Sequence, residues 1–316
     1  MLDLARLRRT RLYTTPFSHK FMAHTFLYLT YRFPRRTEIV LEGLENLPRD
    51  RTVMLAMNHS DMYNYWPLQY RLYFHGGFPY VSVWVKGKYY HHPLVAFFLD
   101  STNNIPIPSR GYVISTDFFR RFRRKPTEEE YRALRLAVDQ ADAKALPPVV
   151  DDPQRYLRQF EDTWDSLVQE VARLNHRALR ELGLNVLVFP QGTRSRRLSQ
   201  GHTGLAQMAM HLRAAIVPIA CNGSDHVYPT TMPFAQGGRI VYRIGAPLEP
   251  DGPELGPLQI AEPFLPLSRA AVERHSDRFR RVTDLVMDRI NDMLDPEYRY
   301  TEDRRSEGVQ GVDRFL

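Results

Sequence analysis

Cysteine is all but absent from this 316-residue chain. Cys221 stands alone, which excludes an internal disulfide and is what a reducing compartment leaves. Long apolar runs are missing too. No stretch reaches about 18 consecutive apolar residues, which argues against a spanning helix, and the first residues lack the apolar core and small-residue cleavage site of a secretory signal. No Cys/His cluster has metal-ligand spacing, no glycine fingerprint or Walker-type loop offers a nucleotide site, and no internal repeat occurs. Acid is in deficit: 43 Lys and Arg against 36 Asp and Glu leave a net charge of +7, which favours an anionic partner. Since no recognised nucleic-acid module accompanies that charge, the expected partner is an anionic lipid surface, with no nucleic acid.

Two short apolar runs end in polar loops, where an open α/β sheet places its chemistry. Val53 to Met57 delivers Asn58 and His59. Histidine, with an ordinary pKa of about 6.5, suits proton transfer near neutrality when a neighbour fixes its tautomer. Val186 to Phe189 delivers Pro190-Gln191-Gly192-Thr193-Arg194-Ser195, in which glycine lets backbone approach a ligand and arginine, threonine and serine offer donors to phosphate oxygens. Tyr80 to Val85 reads as another strand and brings Lys86 and Lys88 to a loop.

Taken together and in order, four blocks resemble those of the glycerolipid acyltransferase family, the lysophosphatidic acid acyltransferases and their relatives. They are Asn58-His59 through Asn64, Asn104-Ile105-Pro106-Ile107-Pro108-Ser109-Arg110, Gln191-Gly192-Thr193-Arg194-Ser195 and Val217-Pro218-Ile219. Lys86 and Pro93 also keep the family's lysine-to-proline spacing. The resemblance runs from about Val53 to Cys221. It implies an α/β fold with a mixed, mostly parallel sheet flanked by helices. It implies transfer of a fatty acyl group from acyl-CoA or acyl carrier protein, as co-substrate, to a hydroxyl of a lysophospholipid, with no further cofactor and no metal. His59 would be the general base, with Asp61 or Asn64 as its orienter. Lys86, Arg110, Gln191, Gly192, Thr193, Arg194 and Ser195 would bind the acceptor's phosphate. The expected location is peripheral, on the cytoplasmic face of a membrane.

The chain departs from the family's pattern at telling places. Asn64 stands where the family has an aspartate, Gln191 where it has a glutamate, Asn104 and Ser109 where it has glycine and aspartate, and His202 where a lysine is frequent. An asparagine carbonyl still accepts from the imidazole N–H but does not stabilise imidazolium by charge. A second reading therefore keeps the fold and drops the reaction: a lipid- or acyl-CoA-binding relative in which catalysis is silenced.

The chain divides into four parts. Residues 1–36 mix eight basic side chains with bulky aromatics, as a helix in a bilayer headgroup region does, or as one packed on the domain does. Residues 37–250 form the acyltransferase-like α/β domain, with a helical insertion at about 112–160. Residues 251–295 are a loop and an amphipathic helix, and 296–316 a mobile tail. Within the insertion, Phe118, Phe119 and Phe122 share one helical face and suggest a second membrane contact, while Thr127 and Glu130 spell a capping box. Leu157 to Leu182 carries apolar residues at helical spacing. Pro93 to Leu99 is too short to span a membrane and reads as either core or a lip for an acyl chain.

Overall fold

The computed structural model describes residues 2–304. The apolar runs become β1 (Thr37–Glu42), β2 (Met54–Met57), β3 (Val81–Lys86), β4 (Asn104–Ile107), β5 (Asn185–Val188), β6 (Ile216–Asn222) and β7 (Gly238–Ile244). They form one seven-stranded sheet in the order β1-β7-β6-β2-β5-β3-β4. Every neighbouring pair is parallel except β6 with β7, so β1 and β7 run against the other five. β2, β5 and β6 are buried along their whole length. A strand covered on both faces has no polar side to show, which is why these three read as unbroken apolar runs rather than as alternation.

From β2 the chain moves to β3 and β4 on one side. From β5 it crosses to β6 and β7 on the other. The direction of winding thus reverses at the β2–β5 pair, and the crevice beyond the carboxyl ends of such strands is where open α/β sheets bind ligands.

In chain order the helices are α1 (Leu4–Arg9), α2 (Phe17–His24), α3 (Phe26–Thr30), α4 (Trp66–His75), α5 (Pro93–Ser101), α6 (Arg110–Phe122), α7 (Glu128–Gln140), α8 (Pro153–His176), α9 (Gly204–Leu212), α10 (Ser224–Val227) and α11 (Arg269–Met293). Helix α7 starts on the capping box its sequence spells: Thr127 Oγ1 accepts from Glu130 N, and the Glu130 carboxylate accepts from Thr127 N at 2.8 Å. Helix α8 buries Leu157, Phe160, Trp164, Leu167, Val171 and Leu174, one stripe at three- and four-residue spacing, each contributing about 1.5–3 kcal/mol. Asp152 caps it by accepting from Arg155 N.

Three expectations change. The aromatic face of α6 points largely inward: Phe119 is exposed, while Phe118 is fully buried, its ring 4.5 Å from that of the half-buried Phe122. Its partners are Leu134, Ala137 and Val138 of α7 in the same core. The stretch after Pro93 is core on one side only: Leu94 and Phe97 are each 74% exposed, while Leu99 is buried. The expected tail is packed where it is described: Leu198 N donates to Tyr298 O at 2.7 Å and Gln200 N to Arg304 O at 2.9 Å. The remainder of that tail, 305–316, lies outside the described residues.

The N-terminal helices are divided between two environments. Leu2, Leu7, Leu12, Ala23, Leu27 and Tyr31 are buried, whereas Phe17, Phe21, Leu29 and Phe33 are exposed. Among the described residues no helix is long and apolar enough to cross a membrane.

Candidate active site

Asn58 is the first residue beyond β2, and its side chain does a peptide group's job. Nδ2 donates to Cys221 O at 2.9 Å and Oδ1 accepts from Cys221 N at 2.7 Å, which extends the ladder from β2 to β6 by one rung made of a side chain. The backbone is thereby released to turn, and it presents His59 over the neighbouring strand. There the imidazole lies on the ring of Phe189, with centroids 4.1 Å apart and planes 18° from parallel. His59 N donates to Gln191 Oε1 and Ser195 N donates to His59 O, both at 2.9 Å, so the loops after β2 and β5 hold each other.

The ring of His59 is half-buried. Burial first, then the positive charges of Lys86 and Arg194, pull its pKa down to about 3, while the nearby Asn64 side chain opposes them. The imidazole is therefore neutral at any ordinary pH. Asn64 is fully buried, and its orientation is set from two sides: Nδ2 donates to Asn58 O at 2.8 Å, and its own backbone carbonyl accepts from the Tyr242 hydroxyl at 2.6 Å. With Nδ2 bonded to Asn58 O, the amide's unpartnered atom is Oδ1, a buried acceptor, and Nδ1 of His59 is equally unpartnered.

Asp61 faces elsewhere. Its carboxylate accepts from Tyr63 N at 2.8 Å and from the Ser60 hydroxyl at 3.1 Å, and it forms no hydrogen bond or ion pair with His59. Burial raises its pKa to about 6, against the hydrogen bonds from Tyr63, Ser224 and Ser60.

Beyond β5, Gly192 has φ +69°, and a Cβ there would stand 2.7 Å from His202 Cδ2, so backbone conformation and space both require glycine. Gln191 is buried: beyond its bond to His59 N, Nε2 donates to Arg197 O at 3.3 Å and to Ser199 Oγ at 3.4 Å. A glutamate could accept from His59 N equally well but would have no proton for the Arg197 carbonyl. Gln191 thus braces the two loops against each other. Thr193 is half-buried and its N–H closes the turn onto Gln191 O at 2.8 Å. Ser195 Oγ is buried with no hydrogen bond. Arg194 is exposed and makes no hydrogen bond or ion pair among the described residues, although its charge reaches both His59 and Tyr63.

Arg110 takes a different setting from Arg194. It opens α6 behind the Ser109 cap, and its guanidinium turns to α8, 3.4 Å from Glu161 Oε1 and 5.2 Å from the Trp164 ring centroid. Arg269 shares the same carboxylate at 2.6 Å. Its charge is thereby engaged by α8 rather than turned to the β2–β5 crevice.

The structure therefore gathers His59, Asn64, Lys86, Gly192, Arg194 and Ser195, keeps Gln191 behind them, and separates Asp61 and Arg110 from the imidazole. Phe189 under the ring, Tyr242 behind Asn64 and the Asn58–Cys221 clasp went unread, because side-chain contacts across 130 to 178 residues leave no local pattern. Beside the site, an apolar cavity of about 230 Å³ runs between α2 and α4. Tyr65 lines its upper end and lies 6.3 Å from Phe189, ring to ring.

The model of the Acyltransferase family matches residues 38–222. The chain belongs to that family. The acyltransferase match spans β1 to β6 and contains all six gathered residues, and it leaves the N-terminal helices and α11 outside. Among solved structures, the crystal structure of the 1-acyl-sn-glycerophosphate (LPA) acyltransferase PlsC from Thermotoga maritima is similar at a TM-score of 0.46 and 15% identity, over 87% of this chain and 81% of that one. A comparison with curated protein sequences returned no match.

Proposed function

We propose that this acyltransferase moves a fatty acyl group from acyl-CoA or acyl carrier protein to a hydroxyl of a lysophospholipid or related glycerolipid, with His59 as the general base. The observation that carries the reading is a neutral imidazole flanked by two cations and backed by an orphaned amide oxygen. Asn64 Oδ1 takes the Nδ1 proton in a hydrogen bond, leaving Nε2 as the basic nitrogen. Nε2 removes the proton of the acceptor hydroxyl as its oxygen bonds to the thioester carbonyl carbon. Collapse of the tetrahedral intermediate breaks the carbon–sulfur bond, and the imidazolium returns the proton to the departing thiolate. Each electron pair and proton is accounted for without a cofactor.

Lys86 and Arg194 hold the acceptor's phosphate, a charge-assisted contact worth about 1.5–3 kcal/mol. Their second effect is on the base. Unoccupied, they disfavour imidazolium; with a phosphate between them their charge is compensated, and His59 regains basicity only when the acceptor is bound. The cavity between α2 and α4 suits the apolar chain of the donor. Exposed Phe17 and Phe21 on α2 and Leu94 and Phe97 on α5, with a net charge of +7, suit docking on an anionic lipid surface. We assign that surface to the cytoplasmic face.

The second reading, a silenced lipid- or acyl-CoA-binding relative, is favoured by Asn64, which offers imidazolium no charge. Transfer of radiolabelled acyl groups from both donors to a panel of lysophospholipids decides. The expected result is turnover that His59→Ala lowers by about 10²–10⁴-fold. A parent inert with every pair, yet active as Asn64→Asp, would replace the enzyme with the binder.

A further inference from the structure

Behind the Arg194 loop lies a layer that touches no reacting atom. After α11 the chain turns at Asp295 and runs back across that loop, Tyr298 O and Arg304 O accepting from Leu198 N and Gln200 N. Tyr298 is 1% exposed, and its hydroxyl donates to Asp225 Oδ1 at 2.6 Å. The other oxygen of Asp225 lies 3.5 Å from Arg196 Nε, and the Arg196 guanidinium stands 5.8 Å from the Tyr298 ring centroid. Asp225 itself sits on α10, directly after β6. A carboxylate on the short helix after β6 thus gathers the C-terminal segment and the loop after β5. From Arg196 the connection to chemistry is short: Arg197 O and Ser199 Oγ accept from Gln191, whose Oε1 accepts from His59 N.

We propose that Tyr298 is a positioning residue, which with Asp225 and Arg196 clamps residues 196–200 and thereby sets where Arg194 stands relative to His59. The inference rests on the phosphate-binding role given to Arg194 above. Its physical ground is that an exposed arginine with no partner of its own is aimed only by its backbone, and a displacement of about 1 Å at such a group costs up to 10²-fold. The aromatic ring of Tyr298 would fill its space equally well as phenylalanine. The hydroxyl is what the clamp requires.

Two readouts test this, one of which needs no activity. In Tyr298→Phe, Asp225→Asn and Arg196→Gln, trypsin cleavage after Arg194 and Arg197, the two sites all three variants keep, should be about fivefold faster than in the parent, the factor one lost hydrogen bond allows. In the same variants KM for a lysophosphatidate acceptor should rise about fivefold with kcat within about twofold, while KM for a monoacylglycerol, which lacks phosphate, stays unchanged. Arg196→Gln acts from the surface, so it reports even where the buried substitution impairs folding. Unchanged cleavage and unchanged KM in all three variants overturn the clamp. Faster cleavage with unchanged KM overturns the positioning role. Faster cleavage in a parent that transfers nothing to any acceptor supports the clamp and sinks the acyl-transfer reading instead.

Discussion

The loop after β5 and the corner after β4 end alike, each a strand running into a polar turn and an arginine, yet they use that arginine in opposite ways. Arg194 is exposed, without a hydrogen-bond or ion-pair partner among the described residues, and close enough to lower the basicity of His59. Arg110 is folded against Trp164 and shares Glu161 with Arg269. What differs is the surroundings: α8 supplies a carboxylate and an aromatic face to one, while the other looks into a crevice. A motif arginine is available to a ligand only where the fold leaves its charge unanswered.

The sharpest way to break this contrast is to delete both in turn. Arg194→Ala should raise KM for a phosphate-bearing acceptor about 10–100-fold with little change in kcat, as loss of a charge-assisted contact does. Arg110→Ala should leave KM alone and lower Tm, by about 2–4 °C for each kcal/mol lost. Equal KM effects in steady-state kinetics would dissolve the distinction.

The contrast recurs inside the β2 loop, where Asn64 and Asp61 lie three residues apart and only the amide addresses the imidazole. Placing a carboxylate at that position should raise the pKa of His59, because a negative neighbour favours imidazolium. In the parent, His59 at about 3 gives no acid limb in kcat/KM between pH 4 and 7. Asn64→Asp should bring that limb up into the range and raise kcat above it; a pH profile identical to the parent's would remove Asn64 from the role of orienter.

Asp61 yields the smallest effect, and in stability rather than rate. Its folded-state pKa of about 6 exceeds the ordinary 3.8, so the folded protein holds a proton that the unfolded chain has released. The stability it contributes is complete below about pH 4 and is lost as pH rises through about 6. Asp61→Asn should flatten that decline, measurable as denaturant midpoints at pH 4.5 and 7. A decline as steep as the parent's would mean that the carboxyl is ionised throughout.

Much of this was legible in the chain. Strand positions followed from short apolar runs, since strands buried on both faces leave that mark, and the ordered blocks pointed to His59 and Arg194. The capping box at Thr127 and Glu130 read correctly because its chemistry is local. What could not be read was direction. Phe118 keeps helical spacing whether its face meets lipid or α7, Arg110 looks equally free until Glu161 arrives 51 residues later, and Gln191 gives no sign that its amide braces two loops from behind.

The clasp between Asn58 and Cys221 also sets a timetable. The partners are 163 residues apart, so the turn that presents His59 has no rung to hang on until β6 has been made. At about 5–20 residues per second, a nascent chain waits roughly 8–30 s between synthesising His59 and being able to seat it. Release of an incomplete chain in that interval would free a histidine with no site around it.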